Sequence, residues 1–248
     1  MTVRLILLRH GESTANADGL FTGVLDVDLT DLGRAQSVLA GRLIREAGLD
    51  VSSVVCSPLS RARQTAAIVM SMLEGPADLV VDWRLLERSY GALTGLSKHA
   101  VLEMFGRNRF VDWRRSVDHA PPPLGPDLLR SLRSQASLVG LPPDAEAVTE
   151  CLQDVITRVR PTIRDTIVPR LHSGQTVLVV GHGNSLRALV AALDDLDDEQ
   201  LRRLNVPSGQ PLMYRVRSDG TPIAGSGEYL DAMSAQAATV LLEAQGGT

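Results

Sequence analysis

Several stretches of the chain are short, apolar and almost uninterrupted: Val3–Leu8 (VRLILL), Val51–Cys56 and Thr176–Val180, with a shorter one at Leu79–Val81 and a late one at Pro211–Val216. Apolar runs of this length without polar alternation predict strands buried on both faces. Between them the period lengthens. Thr30 is placed to cap a helix to about Ala47, with Leu32, Leu39, Leu43 and Ala47 as its apolar face and Ala40 and Ile44 beside it. Ser57-Pro58 reads as an N-cap followed by proline in the first helical position, opening a helix through Met72. Thr149 starts a long amphipathic segment in which Val155, Val159, Ile163, Ile167 and Leu171 step by four. Pro161 and Pro169 interrupt it, which predicts a kink or two shorter pieces. Further helices follow Gly181-His182-Gly183 to about Leu193, start after Asp197, and span Asp231–Ala244.

Residues 84–147 break this rhythm. Ser97 is placed to cap a helix over Lys98–Phe105, Ala120–Pro123 is extended, and 124–147 carry further Pro and Gly, as a surface excursion or lid does. Strands alternating with helices predict an α/β fold: a three-layer sandwich, with a mostly parallel central sheet and helices on both faces. The expected organisation is a single domain over residues 1–248 with an irregular insertion at about 84–147.

Composition narrows the function. A net charge of -4 and 3% aromatics argue against nucleic acid as partner. Two cysteines make no disulfide framework, and neither a signal-peptide pattern nor an uncharged run of membrane-spanning length is seen. A cytoplasmic location is the expectation. All but one of the 25 basic residues are arginine, a bias that genomic base composition explains; the exception is Lys98.

Ligands of open parallel sheets sit beyond the carboxyl ends of the strands. Two predicted strands end there alike, in Arg9-His10-Gly11 and in Gly181-His182-Gly183. One such histidine is a core residue, a metal ligand, an acid-base group or a nucleophile; two at the same edge favour chemistry. Gly11 has no side chain, so a ligand can approach and its N–H is free to bind. Arg61, on the first turns of the helix after the second strand, lies near that edge, and a guanidinium there suits phosphate or carboxylate. Arg63 falls off that face. Glu87, among apolar and glycine neighbours, is a candidate proton donor, because desolvation favours a protonated carboxyl. Arg114-Arg115 is either a solvated face or a second anion grip. Such a set binds a dense anion and moves it, with a neutral His10 nitrogen attacking phosphorus and Glu87 protonating the departing oxygen. For a metal site the sequence lacks His-x-x-x-His and a third histidine with a paired carboxylate, so no metal is expected.

Quoted together, R-H-G-E-S, S-P-L-S-R-A-R-Q-T and G-H-G-N-S-L-R-A-L resemble the histidine phosphatase superfamily. Phe21–Thr30, Glu87–Lys98, Val111–Ser116, P-P-P-L and Asn205–Leu212 look most like its bisphosphoglycerate-dependent phosphoglycerate mutase branch. The resemblance covers nearly the whole chain. It implies His10 as the phosphorylated nucleophile. A phosphate pocket would form from Arg9, Asn16, Arg61 and His182, with Gly183 and Asn184 beside it, and Glu87 would be the acid-base group. Thr22, Gly23, Tyr90, Lys98, Arg114, Arg115 and Asn184 would hold the glycerate part or its second anionic group. It also implies 2,3-bisphosphoglycerate as primer, no metal, a small phosphorylated metabolite as partner, no membrane, and a homo-oligomer, dimer or tetramer. Ser89 stands where the family has His and Ser97 where it has Asn, and 124–147 diverges from the stretch that resembles a lid over the site. The alternatives are a metal-independent phosphatase, which needs one anion grip and an open door, and a protein that only binds a phosphometabolite.

Overall fold

The computed structural model describes residues 3–244. Its sheet has six strands: β1 (Arg4–Arg9), β2 (Val51–Cys56), β3 (Asp78–Val81), β4 (Thr176–Gly181), β5 (Leu212–Arg215) and β6 (Glu228–Tyr229). Their spatial order is β3-β2-β4-β1-β5-β6. The first four are mutually parallel, and β5 and β6 add an antiparallel edge. The expected sandwich is the observed one.

Side chains of each central strand divide by parity between two cores. Ile6, Leu8, Val54, Leu178 and Val180 pack against α2 (Asp31–Glu46) and α3 (Ser60–Met70). Leu5, Leu7, Val55, Val177 and Val179 pack against α6 (Leu152–Pro161), the turns after it, and α8 (Gly183–Asp194). The remaining helices are α1 (Thr14–Ala17), α4 (Lys98–Arg115), α5 (Pro126–Arg133), α7 (Val168–His172), α9 (Asp198–Arg203) and α10 (Ala232–Ala244).

Three expectations need correction and a fourth needs refining. First, α2 does not bury its leucines: Leu32 and Leu39 are 55% and 43% exposed, while Gly33, Ser37, Ala40, Gly41 and Ile44 are buried. The helix lies too close to its neighbours for large side chains. A Cβ on Gly33 would overlap the Glu12 carbonyl, and one on Gly41 would press on Met72. Second, Ser57 does not cap α3, whose N-cap is Leu59; its hydroxyl is used by His182 at 2.7 Å. Asp26 takes over at the helix start, accepting from Ser60 N at 2.7 Å and Ser60 Oγ at 2.9 Å. Third, Thr149 opens no helix. It donates to the Pro121 carbonyl at 2.7 Å, and α6 begins after Cys151. Fourth, the two prolines do part the amphipathic segment into α6 and α7, as expected, but they leave no gap between the pieces. Six residues, Thr162–Ile167, wind as a π-helix and carry the chain on into α7. This keeps Val155, Val159, Ile167 and Leu171 in one core.

Ser97 does cap α4, accepting from Ala100 N at 3.4 Å. Serine and asparagine are near-equivalent caps, so the departure at this position leaves the helix start intact. The helix breaks at Gly106 (φ 77°), where the predicted segment stops, and then resumes to Arg115. The second half thereby turns Trp113 and Arg114 into the interior. Segment 124–147 holds α5 and a short turn of 3-10 helix at Pro143–Ala145. No helix among the described residues is long and apolar enough to cross a membrane.

Candidate active site

Adjacent parallel strands β1 and β4 end in register, Arg9 beside Gly181, and His10 N donates to the Gly181 carbonyl at 3.1 Å. Strand parity then decides where the next side chains point. His10 and His182 continue the rows of Leu8 and Val180, toward α3; Arg9 continues the row of Leu7, toward the other face. The two imidazoles meet edge to face with centroids 5.0 Å apart. Arg9 instead donates through Nη1 to the Val206 carbonyl at 2.9 Å.

Gly11 serves packing. A Cβ there would overlap the Gly33 carbonyl of α2, and the Gly11 N–H donates to Thr65 Oγ1 at 3.2 Å. The expectation that it clears space and offers its N–H to a phosphate is therefore corrected. Gly11 and Gly33 let α2 close on the loop that carries His10.

The His10 ring is held at both ends. Nδ1 lies 2.6 Å from the Gly11 carbonyl, so that nitrogen carries the hydrogen and Nε2 keeps its lone pair. Arg61 Nε donates to Nε2 at 3.2 Å. Burial, then the Arg61 and Arg9 cations, hold the His10 pKa well below its ordinary value. The same burial, with Arg61, His10 and Arg9, lowers His182. Both rings are neutral at neutral pH, and Nε2 of His10 is a competent nucleophile.

Arg61 is itself fixed by the carbonyls of Leu25 (2.7 Å) and Gly23 (2.9 Å). Burial lowers its pKa to about 10. Burial likewise lowers Arg114 to about 10, Arg187 to about 9 and Lys98 to about 8. Arg9, Arg61, Arg88, Arg114 and Arg187 are all buried, and fewer carboxylates face them: Glu87, with Asp26 beside Arg61 and Glu12 in the pocket wall. Buried cations are costly unless paired. Arg9 Nε makes no hydrogen bond within the protein, and Arg88, whose Nε and Nη1 make none either, stacks on the Tyr90 ring at 4.5 Å. The site is short of negative charge, the condition that suits a dense anion.

The pocket holds about 150 Å³, room for a small compact ligand. Its wall includes Arg9, His10, Asn16, Thr22, Gly23, Arg61, Glu87, Tyr90, Lys98, Arg114 and Asn184. His182 lies behind His10, wholly buried, and Gly183 opens α8 without lining the pocket. Arg115 is not brought there either. It donates to the carbonyls of Arg202 (3.3 Å) and Leu204 (3.2 Å) and to Asn205 Oδ1 (2.7 Å). Arg63 is exposed, as expected. Glu87 accepts from Arg88 N at 2.7 Å and from Asn184 N, at the start of α8, at 3.1 Å.

Sequence reasoning missed Glu12, Gln36 and Ser208 in the wall, and Leu242 of α10. It also missed Arg187, which donates to Asn184 Oδ1 at 2.9 Å, while Asn184 Nδ2 donates to the Tyr90 hydroxyl at 3.0 Å. That chain leaves the Tyr90 O–H free to donate. Burial raises the Tyr90 pKa, but Arg88 and Arg114 outweigh it and the net shift is downward. A signal existed: Arg187 sits three residues after Asn184 within an apolar helix, where an unpaired cation is not tolerated. Among the described residues no group of three or more His, Cys, Asp or Glu gathers as for a metal ion.

Residues 5–137 and 133–225 match the family model described as histidine phosphatase superfamily (branch 1). The 2,3-bisphosphoglycerate-dependent phosphoglycerate mutase of Thermobifida fusca is 46% identical over 98% of this chain and 98% of its own. That of a Nocardioides species is 46% identical over 99% of this chain and 100% of its own. Among solved structures, a mycobacterial glucosyl-3-phosphoglycerate phosphatase complexed with VO3 superposes with a TM-score of 0.68, at 25% identity over 92% of this chain and 96% of the other.

Proposed function

The chain belongs to the histidine phosphatase superfamily, and from that premise we propose that it interconverts 3-phosphoglycerate and 2-phosphoglycerate through a phosphohistidine at His10. The observation that carries this reading is the His10 ring: neutral, with Nδ1 on the Gly11 carbonyl and Nε2 turned to Arg61. In line with Nε2, Arg61, Arg9 and Asn16 would surround the phosphoryl oxygens, and electrostatic preorganisation of this kind is the main catalytic resource for such transfers. Asn16 Oδ1 is occupied by Ser13 N and Oγ, so its NH2 is the end available to a ligand. Glu87 would hold the proton given to, or taken from, the glycerate oxygen. Tyr90, Lys98, Arg114 and Asn184 would grip the ligand's second anionic group.

The primer implied by the relatives' name, 2,3-bisphosphoglycerate, fits the donor set: two phosphates and a carboxylate answer the cluster of buried cations around the pocket, in which Arg9 Nε makes no hydrogen bond within the protein. It would supply the phosphoryl group that His10 carries, held by the residues just named. Arginines, rather than a metal ion, meet the charge in this reading. The enzyme would work in the cytoplasm on a small phosphorylated metabolite, without nucleic acid, as a homo-oligomer in the family's manner.

The relatives' names support the mutase reading over near-complete chains. A second reading, hydrolysis of a small phosphate ester, draws on the structural likeness to a phosphatase and on the divergent 124–147 segment. Product analysis decides between them. With 3-phosphoglycerate and a trace of 2,3-bisphosphoglycerate, 2-phosphoglycerate is the expected product; inorganic phosphate alone would establish the phosphatase. Neither product, with thermal stabilisation by the ligand, would mark a binding protein.

A further inference from the structure

Segment 124–147 lines no part of the catalytic pocket. It meets the site from behind. Leu124, Leu129, Leu132, Leu138 and Leu141 form an apolar hollow against Val24, the residue after pocket-lining Gly23. Just beyond α5, half-buried Gln135 uses both ends of its amide on that loop. Its Nε2 donates to the Val24 carbonyl at 3.1 Å, and its Oε1 accepts from Asp26 N at 2.7 Å.

The clamped loop is the one that sets Arg61. Gly23 and Leu25 give Arg61 its two carbonyl acceptors, and the Asp26 carboxylate anchors the first residue of α3, next to Arg61. Gln135 thus grips the residues that alternate with these acceptors: Val24 and Asp26 outward, Gly23 and Leu25 inward. No charged side chain matches both a carbonyl and an N–H in this way; an amide does.

We propose that Gln135 is a positioning residue: its amide holds in place the loop that orients Arg61 and contributes Thr22 and Gly23 to the pocket wall, and so keeps that wall closed to water around phosphorylated His10. The inference rests on the phosphohistidine reading above. In the leak it suppresses, a water oxygen bonds to phosphorus as the P–Nε2 bond breaks. Nε2 keeps the electron pair, a water proton passes to Glu87, and inorganic phosphate leaves. A closed pocket slows this step and leaves transfer to the glycerate oxygen as the faster exit.

The test uses the full chain with two substitutions. Gln135→Met keeps the shape and removes both hydrogen bonds to the loop, together with the one Nε2 donates to the Leu132 carbonyl at 3.1 Å. Gln135→Glu keeps the acceptor for Asp26 N and loses the donor to Val24. Each protein is primed with 2,3-bisphosphoglycerate, freed of excess primer, and followed by intact mass spectrometry as the adduct decays; phosphate release per 2-phosphoglycerate formed is measured alongside. The expected result, in both variants, is a several-fold shorter adduct lifetime and a raised phosphate-to-product ratio. KM for 3-phosphoglycerate should change less than either. A general loss of folded protein would lower every rate together and leave the decay of the surviving adduct unchanged. An adduct that forms on the wild type and decays at the same rate in both variants overturns the inference alone. A wild type that forms no adduct overturns the reading beneath it as well.

Discussion

Arg61 Nε donates to Nε2 of His10 at 3.2 Å, on the ring nitrogen whose lone pair the opposite hydrogen bond leaves free. The same guanidinium is pinned by two carbonyls of the 23–25 loop. One side chain therefore lowers the proton affinity of His10 and, in the proposed transfer, stands where phosphoryl oxygens would arrive. Arg61→Leu should cut kcat by roughly 10²–10³, the cost of losing one preorganised donor. Arg61→Lys should recover little, because an ammonium cannot reproduce a planar fork that reaches three acceptors at fixed angles. Steady-state kinetics of both variants checks this; a lysine variant near wild-type rate would show that charge alone suffices.

Glu87 is held by two backbone N–H groups, of Arg88 and Asn184. Glu87→Gln keeps an oxygen for those donors and removes the exchangeable proton. The fold should survive, and kcat should fall by about 10²–10⁴, the usual range for a lost general acid-base group. Unchanged turnover would reassign the proton to another group.

Lys98 gives the pocket a pH limit. Burial, then Arg114 and Arg9, lower its pKa to about 8 in the free enzyme. The ammonium form attracts an anionic ligand, and ligand binding favours that form in return. Affinity is therefore full below about pH 8 and falls as the pH rises through it, by at most about tenfold per pH unit. KM for 3-phosphoglycerate measured from pH 6.5 to 9.5 should rise on that limb. Lys98→Met should start weaker and lose the limb.

Gly33 sits under the loop that carries His10, where any Cβ would meet the Glu12 backbone. Gly33→Ala should cost about 1–3 kcal/mol of stability, as overpacking does, and should also lower kcat by displacing His10. Thermal denaturation and kinetics of the same variant check both. A stable, fully active Gly33→Ala would mean that the loop tolerates displacement.

The parts of the molecule legible from sequence are those that physics writes as contiguous runs. β1, β2 and β4 are buried on both faces, so each shows as an apolar block, and the histidine after two of them marked the edge where the pocket lies. Ser97 and Asp197 announced their helices because a cap acts within three residues. Other features depend on distance through space. α2 buries Gly33, Ser37 and Gly41 rather than Leu32 and Leu39, because the spacing to the Glu12 backbone and Met72 is set by tertiary packing. Ser57 looked like a cap and is a partner of His182, 125 residues away. No local pattern separates Arg88 from a solvated arginine, and for Arg187 the one sign is the apolar helix around it. Gln135 carries no local signal, and its partners, Val24 and Asp26, are 111 and 109 residues away.

The most direct measurement is the intact mass of the enzyme after brief exposure to 2,3-bisphosphoglycerate and an alkaline quench, with the modified residue located by peptide sequencing. One PO3 group on His10, absent in His10→Ala and unaffected by a chelator, is the predicted result. No adduct during turnover, an adduct on another residue, or its loss on chelation would contradict covalent transfer through the His10 imidazole.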